Sequence, residues 1–99
     1  MREVQSYGMT HHILVCTNRR RTDGMPCCAD AGGEEVWRQV REYVHRHDLT
    51  YKVWVSTSGC LGFCTTAGAT LVTYPQGAWL SEVTPEEVDT ILDTHLKLE

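Results

Sequence analysis

The sequence predicts an α/β fold in which a βαβ unit is followed by a β-hairpin and a C-terminal helix. Three observations carry that reading. A short apolar run, His12-Ile13-Leu14-Val15-Cys16, and an alternating, β-branched and aromatic segment, Tyr51-Lys52-Val53-Trp54-Val55-Ser56, flank a stretch with helical periodicity. Two more apolar segments, 69–74 and 78–83, are joined by the turn signal Pro75-Gln76-Gly77. Thr84-Pro85-Glu86-Glu87 then has the form of a helix start, with an N-cap threonine, proline at the first helical position and a capping-box glutamate.

Taken in order, residues 1–10 have no periodicity and read as a loose lead-in. The first strand, 12–16, ends on a thiol. Residues 17–33 read as loop, with Arg19-Arg20-Arg21 followed by Asp23-Gly24, Pro26 and Gly32-Gly33 as turn or breaker signals. The helix is predicted over 34–47. Val36, Trp37, Val40 and Val44 form its apolar stripe, and Arg38, Arg41, Glu42 and Arg46 its solvent face. Glu34 and Glu35 at one end, with Arg46 and His47 at the other, suit the helix dipole. The second strand is expected over 51–56, leading to the loop between Gly59 and Gly62. Val88, Ile91, Leu92 and Leu96 give the last helix its stripe.

The chain is read as one domain, 1–99, with its core over about 11–96 and no linker, repeat or low-complexity tract. Two parallel strands need a crossover, which the 34–47 helix supplies, right-handed by the usual rule. The carboxyl ends of both strands then meet at one end of the sheet. Cys16 and Cys60 come together there although 44 positions separate them. The element order, β-α-β-β-β-α, is that of the thioredoxin-like fold.

At 99 residues and 41% hydrophobic content, the chain can bury one modest core. No stretch approaches the roughly 18 apolar residues of a membrane span. Met1-Arg2-Glu3-Val4-Gln5 has no apolar run that would serve as a signal peptide, so a cytoplasmic location is expected. There, ordinary thiols stay reduced, and an odd count of five cysteines argues further against a disulfide framework. The net charge of −4 argues against binding a phosphate backbone.

The cysteines fall as Cys16, Cys27-Cys28, Cys60 and Cys64, the last two within Ser58-Gly59-Cys60-Leu61-Gly62-Phe63-Cys64. Converging thiolates select iron–sulfur clusters, zinc or copper(I). Cys60-x3-Cys64 falls within the range of a zinc knuckle. The other pair has ten or eleven residues between its members and resembles no knuckle. A thioredoxin-type C-x-x-C is absent, and no histidine lies within either cysteine loop to make a Rieske site. His11, His12, His45, His47 and His95 are read as non-ligands. Glu86 and Glu87 are read as cap and dipole partners rather than a catalytic pair, and Trp37 and Trp54 as core. No acid–base pair, activated nucleophile or phosphate loop is present, so an enzyme is not expected. Gly59 and Gly62 allow backbone amides to turn toward the sulfurs. Phe63 is read as packing or as a shield for a metal site, and Arg19 to Arg21 as a solvated loop or a tuning charge.

The segments His12-Ile13-Leu14-Val15-Cys16-Thr17-Asn18-Arg19, Cys28-Ala29, Ser58 to Cys64 and Tyr74-Pro75-Gln76-Gly77-Ala78-Trp79 together resemble the stand-alone thioredoxin-like [2Fe-2S] ferredoxins, including the Shethna-type proteins. The resemblance covers roughly residues 11 to 96. It implies one [2Fe-2S] cluster held by Cys16, Cys28, Cys60 and Cys64. Cys28 is preferred over Cys27 because the family ligand is followed by alanine, as Cys28 is by Ala29; Cys27 stays open as the alternative. After Cys64, Thr65-Thr66-Ala67-Gly68-Ala69 departs from the family's glycine-proline step, which bears on the loop path rather than on the ligands.

The resemblance implies a one-electron carrier between redox enzymes, a reductase or a dehydrogenase or hydrogenase. An all-cysteine cluster is expected at low potential, in the range of plant-type ferredoxins near about −400 mV. Relatives dimerise through sheet-side surfaces, so Trp79 and Leu80 are interface candidates and a homodimer is left open. Two rival readings stand beside it. One is a redox-dependent protective or regulatory partner of an oxygen-sensitive enzyme; the other is a structural zinc protein with four cysteine ligands.

Overall fold

The computed structural model describes residues 1–3, 8–18, 27–63 and 65–96. Arg19 to Arg21, Asp23-Gly24, Pro26 and Cys64, singled out in the sequence, lie outside the described residues. The elements run β1 (His11–Cys16), α1 (Gly33–Arg46), β2 (Val53–Ser58), β3 (Ala69–Tyr74), β4 (Ala78–Val83), a 3-10 turn (Pro85–Glu87) and α2 (Val88–Leu96). The predicted α/β order is therefore the observed one. β2 begins two residues later than expected: Leu49 accepts hydrogen bonds from both Lys52 and Val53, and these hold 50–52 in a turn.

Among the described residues the sheet has four strands in the order β2-β1-β3-β4. β1 and β2 are parallel, with His11 opposite Val53 and Cys16 opposite Ser58, so both strands end at the same level. β3 runs antiparallel to β1 and β4, with a bulge between Ala69 and Leu71.

Strand alternation divides the two faces. Ile13, Val15, Val53, Ala69, Leu71 and Val83 are buried in one core with Val36, Val40, Tyr43 and Val44 of α1 and Val88, Leu92 and Leu96 of α2. His12, Leu14, Trp54, Ser56, Val72, Tyr74 and Trp79 point to the other face. The expectation that Trp54 is core needs correction: it is 49% exposed, because it follows the inward-facing Val53 and the period-2 pleat turns it outward. Trp37 does pack against the core.

Both helices are tied down at specific points. The Glu87 carboxylate accepts the Thr84 amide at 3.1 Å and the Thr84 hydroxyl at 2.9 Å, so its role at the α2 entry is the capping one expected. The Tyr43 hydroxyl of α1 donates to Asp93 of α2 at 2.7 Å, and Arg46 pairs with Asp89 at 2.9 Å. Gln76 in the hairpin turn donates to the His95 carbonyl near the end of α2. No helix among the described residues is long and apolar enough to cross a membrane.

Candidate metal centre

The cysteine end of the molecule is built by the shared termination of β1 and β2. Cys16 is the last residue of β1 and is fully buried. Immediately after it, Thr17 donates its amide to the Ser58 carbonyl at 3.2 Å, and the Asn18 carbonyl accepts from Ala29 at 3.1 Å. The chain leaving Cys16 is thus laced on one side to β2 and on the other to the segment carrying Cys28.

Cys28 is also fully buried, and its carbonyl accepts the Gly33 amide at 2.6 Å. Gly33, the first residue of α1, sits where the two cysteine backbones approach each other. A Cβ there would lie 2.5 Å from the Cys16 carbonyl oxygen and 2.8 Å from that of Cys28. Gly32 before it takes φ +95°, a left-handed turn suited to glycine. Cys27 is buried as well, and its carbonyl accepts from Ala31. Burial therefore does not distinguish Cys27 from Cys28; the close approach to Gly33 and Cys16 belongs to Cys28.

Cys60 follows the end of β2 by two residues and is exposed. The Gly62 amide donates to its Sγ at 3.3 Å, within the sulfur hydrogen-bond range, and Gly62 takes φ +93° to do so. This is the amide-to-sulfur turn expected of that glycine. Phe63 follows, with its carbonyl accepting the Thr70 hydroxyl at 3.2 Å and its ring edge-on to Trp79, centroids 6.0 Å apart. Phe63 is 55% exposed, so it is a surface residue of the thiolate loop rather than a core one.

Among the described residues no three or more cysteine, histidine or carboxylate side chains already enclose a metal-sized point. What the fold brings together is the main chain of Cys16, Cys28 and the strand end leading to Cys60. This donor set fits a thiophilic group. It offers sulfurs on segments that share one end of the sheet, with a backbone N–H already aimed at one of them.

The histidines have other surroundings. His12 hydrogen-bonds Ser56 at 2.9 Å, His11 sits against the Thr10 hydroxyl with its imidazole held below the ordinary value by burial, and the His47 ring lies 4.2 Å from that of Tyr43.

Two residues important to this end are not assigned to the site by the sequence. Gly33 was read with Gly32 as a breaker, and its adjacency to a predicted helix start was the signal for a close backbone approach. Thr70 carried no signal, since a threonine in Ala69-Thr70-Leu71-Val72-Thr73 is ordinary strand composition.

No family model matches the chain. A 2Fe-2S ferredoxin from Clostridium pasteurianum is 33% identical over 90 residues, 88% of this chain and 85% of that protein. Another from Aquifex aeolicus (strain VF5) is 36% identical over 89 residues, 87% of this chain and 78% of the relative. The crystal structure of the wild-type thioredoxin-like [2Fe-2S] ferredoxin from Aquifex aeolicus superposes with a TM-score of 0.79 at 34% identity, covering 90% of this chain and 87% of that one. A cysteine-to-serine variant of the same ferredoxin gives a TM-score of 0.77 at 33% identity, covering 88% and 87%. Sequence and fold agree over nearly the whole length of both partners, and this chain belongs to the family of thioredoxin-like [2Fe-2S] ferredoxins, which are electron carriers rather than enzymes.

Proposed function

We propose that Cys16, Cys28, Cys60 and Cys64 hold one [2Fe-2S] cluster and that the chain passes single electrons between redox enzymes through it. As a member of its family the chain is an iron–sulfur electron carrier, and the bound cluster supplies the one-electron chemistry. The observation that supports this ligand set best is the convergence at Gly33. Cys16 and Cys28 approach the same glycine, while the register of β1 and β2 sets Cys16 opposite Ser58, two residues before Cys60.

The protein's own residues divide the remaining work. Buried Cys16 and Cys28 anchor the site against the core, the Gly62 amide stabilises negative charge on the Cys60 sulfur, and exposed Cys60 marks the surface that a redox partner approaches. With four thiolates from one 99-residue domain, no second chain is needed to complete the site.

The test is anaerobic purification followed by iron and sulfide analysis and by EPR before and after dithionite. Two irons and two sulfides per chain are expected, with no EPR signal when oxidised and an S = 1/2 signal when reduced. Serine variants of the five cysteines then assign the ligands. C16S, C28S, C60S and C64S should lose the cluster or alter its spectrum, and C27S should keep the wild-type spectrum. A colourless protein holding one zinc sinks the carrier reading. A cluster lost in C27S and unchanged in C28S moves the second ligand by one residue.

A further inference from the structure

We propose that Thr70 is a positioning residue for the thiolate loop, and that its hydroxyl tunes the electron affinity of the cluster held there. The proposal rests on the ligand assignment above. Thr70 lies in β3, is 1% exposed, and donates its hydroxyl to the Phe63 carbonyl, seven residues earlier in the chain. Thr73, three residues along the same strand and equally buried, has a hydroxyl with no hydrogen-bond partner among the described residues. Burial of a hydroxyl in β3 therefore does not by itself produce a loop contact; the one at Thr70 reaches out of the sheet to the loop.

Phe63 stands between the two cysteines of that loop in sequence. It is half exposed and its ring meets Trp79 edge-on, so side-chain burial does little to hold it. The main chain is held by Thr70. One residue earlier, Gly62 adopts its left-handed conformation and donates its amide to the Cys60 sulfur. That N–H···S contact depends on the turn keeping its shape, and Thr70 pins the turn from the β3 side.

The electrostatic consequence has a definite sign. An amide donor near a thiolate favours the reduced, more negative state of the site. A carbonyl tied to a hydroxyl has its negative end committed to β3. Without the hydroxyl, the Phe63 oxygen is a part-buried acceptor lacking its donor, and the peptide turns to find another. The turn loosens, the Gly62 contact lengthens and electron affinity falls.

The experiment uses the cluster-loaded protein with Thr70→Val, which keeps the β-branch and removes the hydroxyl, and Thr70→Ser, which restores it. Midpoint potentials come from mediated redox titration followed by visible absorbance, and cluster loss from the rate of bleaching in excess EDTA. T70V is expected to bind the electron about threefold more weakly, a negative shift of about 28 mV at 59 mV per decade. It should also bleach several-fold faster. T70S should match the wild type in both, and T73V, which removes a hydroxyl with no role in the loop, should leave the potential unchanged.

A wild-type potential in T70V overturns the proposal and leaves Thr70 a packing residue. If T70V does not take up cluster, T70S and T70A decide. Serine at the wild-type potential with alanine shifted negative supports the hydroxyl, and serine shifted as far as alanine overturns it. A wild-type protein without iron defeats the ligand assignment instead.

Discussion

Gly33 lies at the meeting point of three backbones. Helix propensity favours alanine over glycine by about 1 kcal/mol in a helix interior, and by less at a first position. Here the added methyl would stand 2.5 and 2.8 Å from two carbonyl oxygens, and main-chain atoms do not rotate away as a side-chain end does. Overpacking of this kind costs about 1–3 kcal/mol and outweighs the propensity gain. Gly33→Ala should therefore lower stability in urea unfolding and reduce iron retained per chain, because the shift it forces separates Cys16 from Cys28. An alanine variant as stable as wild type with full iron content would show that the two segments move apart freely. The clash itself was beyond sequence reasoning: a glycine pair before a helix announces a turn, while the neighbours that forbid a side chain come from residues 5 and 17 positions earlier. Trp54 is a different case: its size and β propensity fit a core residue, but the period-2 pleat sets it with Ser56 on the face opposite Val53 and Val55, and a strand start shifted by two residues leaves that phase unchanged.

Helices α1 and α2 communicate through polar contacts that neither apolar stripe announces. Asp89 and Asp93 are one turn apart on α2, and they meet Arg46 and Tyr43, three apart on α1. The hydrogen bond to Asp89 raises the Arg46 pKa further above its already high value. Tyr43 has its pKa pushed up to about 12, first by desolvation, then by the hydrogen bond and negative charge of Asp93. A raised folded-state value favours the protonated phenol in the native protein. Its stabilising effect is complete below the unfolded value near 10 and is lost as pH rises toward 12. Tyr43→Phe should cost about 1 kcal/mol near neutral pH through the lost hydrogen bond. The gap between wild type and variant in urea unfolding should hold from pH 7 to 9 and shrink by pH 11. A gap that stays constant to pH 11 would detach Tyr43 from the alkaline behaviour. The stripe Val36, Val40 and Val44 was legible from spacing alone; Tyr43 was not, because its burial comes from α2 and its partner lies 50 residues away.

At the scale of the whole molecule, the hydrophobic core and the cysteine end are adjacent but differently built. The core is a layer of valines, leucines and Ile13 between one sheet face and two helices, and periodicity in the sequence is enough to foresee it. The cysteine end is made of turns at 17–18, 27–32 and 59–63, held by a handful of backbone hydrogen bonds and the Thr70 contact. The motif was legible as chemistry but not as geometry, since thiol spacing says nothing about which carbonyl meets which amide. This division predicts how the protein responds to losing its cluster. Removing iron and sulfide by acid treatment, then renaturing under reducing conditions, should leave the sheet and helices, because Leu71, Leu92 and Val40 need no metal to stay dry. With the ligand set proposed above, the cluster would tie Cys16 to residues more than 40 positions away, a constraint on the unfolded chain comparable to a crosslink worth about 2–4 kcal/mol. For a chain this short, that corresponds to a fall in Tm on the order of 10–25 °C. Far-UV circular dichroism of the apoprotein at low temperature should keep most of the native signal, and amide exchange should accelerate at Thr17, Ala29 and Gly62 before it does at Val15 or Leu71. Loss of the entire far-UV signal on removing the cluster would mean that the core does not stand without the metal end, and that the two are a single cooperative unit.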